Sequence, residues 1–425
     1  MGKPILLKNG RIIDPVTNRD GKADLFIRDG LISDLAECLA EEVVEFDLDG
    51  KWVVPGLIDM HVHLREPGQE YKETIESGTN AAAAGGFTAV ACMPNTDPVN
   101  DSAQVTQYIL EKAENCKARV YPVGAASKGS KGEALAPYGE MKDAGVVAVT
   151  DDGLPVVESQ LMRRVLEYAG SHELLVMSHA EELSLSRNGC MNEGLASTRF
   201  GLKGIPAAAE SIAVYREAAL AELTGCRVHI AHVSTEAALD VVRRAKERGV
   251  AITAETAPHY YSLTEDAVEG YDTHAKMSPP LRSEQDRQAV ITALQDGTLD
   301  AVATDHAPHS VLEKELEFQY AANGITGLET ALSLTLSLIR QGLIDENRFV
   351  ELMSVNPARI LGVPGGSLAV GEVADITVID PDEKYLFTAD GCYSKGKNSP
   401  FIGKELQGRA VMTFVEGVLR HRLGE

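Results

Sequence analysis

Eight short apolar runs recur between residues 57 and 309, each giving way to polar or ionisable residues and then to a longer stretch with helical spacing. They read LIDMHVH, TAVACMPN, RVYPVGAAS, VVAVTDD, LLVMSHAE, VHIAHVS, AITAETAPH and DAVATDHAPH. Between them lie segments rich in helix formers, such as TIESGTNAAAAGG, SQLMRRVLEYAG, AAAESIAVYREAALAELTG and TEAALDVVRRAKERG. Several end on a Gly just past the last periodic residue, as a helix C-terminus does. Strands covered by helices outside and packed against one another inside lose the polar alternation of a half-exposed sheet. The pattern therefore predicts an α/β fold, a (β/α)8 TIM-type barrel. A doubly wound open sheet competes, but no Gly-x-Gly-x-x-Gly follows the first run.

The ends of the chain have another texture. Residues 1–54 contain ILLKNGRIIDP, KADLFIRDGLISDL and EVVEFDLDGKWVV, alternating runs punctuated by Asn-Gly and Asp-Gly turn signals. After the breaker-rich GVPGGSLAVG the same texture returns in EVADITVID and GRAVMTFVEGVLRHR. We expect one small β-sandwich domain assembled from both ends, residues 1–54 and 365–425, flanking a barrel over residues 55–364.

A formal charge of -23 argues against nucleic acid or an anionic membrane as partner, since both would repel the chain. No run approaches the roughly 18 apolar residues that span a bilayer, and the opening MGKPILLKNGRIIDP lacks a basic start followed by an apolar stretch. Cys38, Cys92, Cys116, Cys190, Cys226 and Cys392 show no Cys-x-x-Cys spacing. Reduced thiols and a cytoplasmic protein fit this better than a disulfide framework or a thiolate metal site.

Active sites of such barrels lie at the C-terminal ends of the strands. His61 and His63 follow the first run, where side chains two apart share a face roughly 6 to 7 Å from each other. Asp151 follows the fourth run, His179 the fifth, His232 lies in the sixth and Asp305 follows the eighth. Singly, each has a plain structural explanation as a helix cap, a satisfied core histidine or a turn residue. Collected at one rim, they read as metal ligands. Nitrogen and oxygen donors without cysteine suit Zn2+, and also Mn2+, Co2+ or Ni2+. Four histidines and two carboxylates exceed one tetrahedral ion, so two ions bridged by a carboxylate and a hydroxide fit better than one.

The motifs DMHVHLREPG, GGFTAVACMPNTDP, TDDG, SHAEE, AHVST, KMSPPLR, TDHAPH and GITGLET together resemble the dihydroorotase family of the cyclic amidohydrolase superfamily, in order and over essentially the whole chain. The resemblance implies a zinc-dependent hydrolase of pyrimidine (UMP) biosynthesis that reversibly cyclises N-carbamoyl-L-aspartate to dihydroorotate. It implies that His61, His63 and Asp305 bind one ion, His179 and His232 the other, with Asp151 between them. Many relatives bridge with a carboxylated lysine; VVAVTDDG has none, and Lys142 precedes the fourth run. We choose Asp151 over Asp152 for that place. A zinc-bound hydroxide would attack the ring amide carbon, and Asp305 would act as general base and then general acid.

A substrate with a carboxylate outside the reacting bond needs a cationic clamp, and Arg65 offers a planar fork. By resemblance Asn95 and His309 join it. Similar sequences show Asn where this chain has Ser278, so a weakened or water-bridged contact is expected there. SVLEKELEFQYAANGITG, after the eighth run, reads either as a lid or as a connection containing a short helix. The resemblance also implies a homo-oligomer and leaves room for aspartate carbamoyltransferase as a partner. The alternatives are another cyclic amidohydrolase of hydantoinase, dihydropyrimidinase or allantoinase type, or an inactive scaffold of aspartate carbamoyltransferase. The latter would be expected to have lost ligands, and the chain keeps the full set.

Overall fold

The computed structural model describes residues 3–38 and 42–424. At its centre eight parallel strands pair in chain order: β1 (Leu57–Val62), β2 (Phe87–Cys92), β3 (Arg119–Ala125), β4 (Ala148–Thr150), β5 (Leu175–Ser178), β6 (Val228–Ile230), β7 (Ile252–Thr256) and β8 (Ala301–Val302). The sheet closes on itself where Val62 bridges His306 and the His63 N–H donates to the His306 carbonyl at 2.8 Å. Buried Asp59 on β1 reinforces the seam, accepting from the Thr304 N–H at 3.0 Å and from its hydroxyl at 2.5 Å. The fold is the expected (β/α)8 barrel, and each of the eight runs supplies one strand.

Alternate residues enter the barrel: Ala89, Ala91 and Met93 from β2 and its end, Ala148 from β4, Leu175 and Met177 from β5, Ala301 and Ala303 from β8. The alanines leave room for the longer Ile58, Met60 and methionine side chains. The opposite parity, Val90, Val149, Val176 and Val302, packs under the surrounding helices. Those helices start on side-chain caps, Thr74 for Ile75–Ala84, Thr235 for Glu236–Glu247 and Ser283 for Glu284–Asp296. The helix Asn356–Leu361 adds Ala358, Ile360 and Leu361 to the interior, and the Asn356 amide donates to the Asp300 carbonyl just before β8. It thereby plugs the end where the strands begin and leaves the other end for chemistry.

Both chain ends build one further sheet, in the order Val418–Arg422, Glu405–Val415, Ile376–Leu386, Trp52–Pro55, Ile5–Asp14, Arg19–Arg28, Leu31–Ser33, with Val44–Asp47 also paired to Ile5–Asp14. It is one hydrogen-bonded sheet, curled so that Phe46 meets Phe414 edge-on at 6.0 Å over a core including Leu7, Ile12, Leu25, Val53 and Ile376. Trp52–Pro55 runs into β1, so its C-terminal partner Ile376–Leu386 anchors the start of the barrel. No helix among the described residues is long and apolar enough to cross a membrane.

Candidate metal centre and substrate pocket

The strand alternation persists past the last ladder residue and delivers side chains to the rim. Asp152 keeps the inward parity of Ala148, His179 that of Leu175 and Met177, Asp305 that of Ala301 and Ala303, and Asn95 that of Met93. His61 and His63 share a parity reset by a register shift between Asp59 and Val62. Arg65, His232 and Asp305 hold φ of 62°, 38° and 47°. Left-handed non-glycine residues cost on the order of 1–3 kcal/mol each and persist where the surroundings over-determine them.

Asp152 occupies the middle of the ring. Its Oδ1 lies 3.3 Å from His61 Nε2 and 3.7 Å from both His179 Nδ1 and His232 Nε2, and its Oδ2 lies 3.5 Å from His63 Nε2. Asp305 Oδ1 is 3.0 Å from His63 Nε2 and 3.6 Å from His61 Nε2, while His179 Nδ1 and His232 Nε2 approach to 2.8 Å. All six residues are buried. Asp151, expected at the centre, is not there: its carboxylate accepts from the Ser127 N–H at 2.9 Å and pairs with the Ser127 hydroxyl. The reason is the period of two along β4, which sends neighbouring residues to opposite sides. Lys142 lies outside the ring, its ammonium on the His172 carbonyl and Glu173.

The donor set fits divalent ions. His61–Asp152–His232 and His61–His63–Asp305 each gather ligand atoms within 4.8 Å of one another, and His61 Nε2 and Asp152 Oδ1 are buried without a hydrogen-bond partner. Glu255 Oε1 lies 3.0 Å from His61 Nδ1 and Asn95 Oδ1 lies 2.9 Å from His63 Nδ1. Both oxygens are acceptors, so they assign the hydrogen to Nδ1 and turn each Nε2 lone pair toward the centre. Glu255 is steadied in turn by His229, 3.2 Å from its Oε2, and His229 by the Thr253 hydroxyl at 2.8 Å. Burial works against ionising Glu255, but His229 and His61 outweigh it and hold its carboxyl down at about 2. Burial likewise opposes Asp305, and the imidazoles of His61 and His63 bring it down to about 2.

Beside the ring lies a cavity of about 200 Å³, lined among others by Arg65, Asn95, Ser278, His309 and Asn323. All four residues expected to face substrate therefore line it. Buried Arg65 donates from Nε to the Pro308 carbonyl at 3.2 Å, and its Nη2 lies 3.4 Å from His309 Nε2. Burial pushes the guanidinium down to about 10, with Asp305 and Asp152 opposing, so it remains a cation at neutral pH. Burial, followed by the charges of Arg65 and Lys72, pushes His309 down to about 3. The neutral ring donates from Nε2 to the Asn323 carbonyl at 2.8 Å. Asn398 seals this corner, accepting from the His309 N–H and donating to the carbonyls of Ala307 and Gly324, each at 2.9 Å.

Sequence reasoning set Asp152 aside for its neighbour and missed Glu255, Asn323 and Asn398. Strand parity singles out Asp152, and a carboxylate inside the otherwise apolar AITAETAPH marks Glu255. Nothing local marks Asn398, which comes from a segment 89 residues after His309.

Among the solved structures that share this architecture are two hydantoinases. L-hydantoinase from Arthrobacter aurescens matches with a TM-score of 0.89 at 26% identity, covering 100% of this chain and 97% of that one. D-hydantoinase from Thermus sp. matches with a TM-score of 0.86 at 27% identity, covering 99% and 96%. Fold and rim together make the chain a metal-dependent cyclic amidohydrolase. Within that class, a family model described as Dihydro-orotase-like matches residues 50–238. Relatives named dihydroorotase are 64% identical in Desulfotalea psychrophila (97% of this chain, 98% of the relative), 57% in Desulforapulum autotrophicum (97%, 98%) and 54% in Syntrophus aciditrophicus (97%, 98%). The chain belongs to the dihydroorotase family.

Proposed function

We propose that the protein catalyses the reversible cyclisation of N-carbamoyl-L-aspartate to (S)-dihydroorotate in pyrimidine biosynthesis. The observation that carries this reading is the buried Arg65 fork in a cavity that opens onto the metal-ligand ring. A guanidinium there suits a substrate bearing a carboxylate beside the reacting amide, because the fork accepts it bidentately and orients it. Hydantoins and dihydropyrimidines lacking that group would leave the buried cation unpaired, which is costly.

In this reading His61, His63 and Asp305 would hold one zinc ion and His179 and His232 a second, with Asp152 available to both. Divalent ions held there would polarise the amide carbonyl and bring the pKa of water to about 7. Asp305 takes the proton of the attacking water and returns it to the ring nitrogen. Arg65 and Asn95 fix the exocyclic carboxylate, His309 shares with it the Nε2–H that the Asn323 carbonyl accepts, and Ser278 contributes a hydroxyl, directly or through water. A homo-oligomer in the cytoplasm, with aspartate carbamoyltransferase as a partner, belongs to the same reading; sizing and co-purification test both. The domain division 1–54, 55–364 and 365–425 does too, and limited proteolysis tests it.

The deciding experiment is turnover of L-dihydroorotate by the metal-loaded protein, with hydantoin and dihydrouracil in parallel. Dihydroorotate is expected to be preferred by about 10²-fold or more in kcat/KM, and Asp305→Ala to abolish turnover. Preference for either uncarboxylated ring would overturn the role given to Arg65.

A further inference from the structure

Two lysines are buried beneath the substrate cavity without a carboxylate partner. Lys276 is 5% exposed and Lys314 3%, and among the described residues neither forms an ion pair. A buried ammonium is rare and expensive unless its hydrogens are taken up. Here they are taken up by backbone: Lys276 Nζ donates to the carbonyls of Gln319 at 3.1 Å and Ala321 at 2.7 Å, and lies 5.5 Å over the Phe318 ring. Lys314 Nζ donates to the carbonyls of Ala322 at 2.8 Å and Gly324 at 3.1 Å. The segment 319–324 is neither helix nor strand, so it has no ladder to satisfy those carbonyls, and the lysines, joined at Gly324 by the Asn398 amide, stand in for one.

The same segment carries Asn323, whose carbonyl holds the His309 ring. Its end at Gly324 is seated against that ring: a Cβ on Gly324 would fall 2.5 Å from the Ala307 carbonyl oxygen and 2.7 Å from His309 Cδ2. Lys276 also ties the segment to another wall of the cavity, since its own carbonyl accepts from the Gly324 N–H at 2.9 Å and the next two residues, Met277 and Ser278, line the pocket. We infer that Lys276 and Lys314 are positioning residues for the substrate carboxylate: by gathering four carbonyls of the 319–324 segment they set Asn323, and through it His309, beside Arg65. The clamp acts through N–H donors. Burial, with the Lys276 ammonium adding to it, brings Lys314 down to about 7, yet the neutral amine keeps the two N–H groups that its two carbonyls require.

This inference rests on the reading that His309 and Arg65 receive the substrate carboxylate, so the test carries His309→Ala alongside the lysine variants. Lys276→Met and Lys314→Met keep the stem and remove the donors; Lys276→Gln and Lys314→Gln keep one polar group and serve if the methionine variants do not fold. With metal content checked for each, we expect KM for dihydroorotate to rise about tenfold or more while kcat stays within about threefold, the Gln variants lying between wild type and Met. If His309→Ala raises KM and the folded lysine variants leave it unchanged, the positioning role is wrong and the pocket stands. If His309→Ala leaves KM unchanged, the pocket reading fails and this one with it. A fall in kcat with unchanged KM would also overturn the role, because it would place the lysines on the reacting bond rather than on the carboxylate.

Discussion

Replacing Asp152 by Asn removes a negative charge from a point 3.3–3.7 Å from four imidazole nitrogens. The ring then has one carboxylate to balance its ions, and bound metal is expected to fall below one equivalent with turnover reduced about 10²-fold or more. Asp151→Asn, one residue away, should keep its metal and most of its rate, and lose about 1 kcal/mol of stability with the Ser127 hydrogen bonds. Metal analysis and steady-state rates on the two variants check both statements, and equal metal loss would refute the assignment. Glu255 acts one step further out, on His61 Nδ1. Glu255→Gln weakens that hydrogen bond without vacating the space, and chelator competition is expected to show about 10- to 100-fold weaker metal binding. Local spacing brought out the four histidines and Asp305 that the rim gathers. The choice between Asp151 and Asp152 was equally legible, provided that the alternation of AVTDD is carried past the strand end instead of being stopped at the first acidic residue.

At the scale of elements, the loops after β1 and β2 are fastened to each other. The Asp97 N–H donates to the Pro67 carbonyl at 2.9 Å, and Gly68, at φ 92°, lets the chains touch: a Cβ there would sit 1.9 Å from the Asp97 carbonyl oxygen. These loops carry Arg65 and Asn95. Gly68→Ala must both strain its backbone and push the loops apart, so we expect a loss of roughly 2 kcal/mol or more in stability and a higher KM, with metal content intact because the histidines lie on the strand side. Differential scanning calorimetry and kinetics on one preparation separate the effects; an unchanged KM would mean that loop spacing does not set the carboxylate site. Barrel strands and their helices were legible because each run carries its own period, caps and terminal glycines. The segment after β8 was half legible: its short helix, Val311–Lys314, is there, but the carbonyl clamp depends on Lys276 from another loop, and Asn398 arrives from beyond the barrel. Contacts made across such distances leave no periodic trace in either partner.

For the molecule as a whole, the rim is a concentration of buried carboxylates and imidazole lone pairs that divalent ions would satisfy. Two buried carboxylates and four imidazoles face one another at the open end of a barrel whose first strand is anchored by the sheet that both chain ends build. Without ions His61 Nε2 and Asp152 Oδ1 stay unsatisfied; each buried unsatisfied group costs about 1–3 kcal/mol. Ions bind the folded ring and find no comparable site in the unfolded chain, so their binding free energy adds to folding. Chelation is therefore expected to lower the melting temperature by several degrees or more, the size set by about 4 kcal/mol for free metal at a thousand times its dissociation constant. Readdition of zinc, manganese or cobalt should restore it, and Asp152→Asn should shrink the difference. The measurement is thermal unfolding followed by circular dichroism with and without chelator. A melting temperature that ignores chelation, in a protein shown by elemental analysis to have lost its metal, would mean that the ring is satisfied by protons alone and that the ions contribute to the chemistry without contributing to the fold.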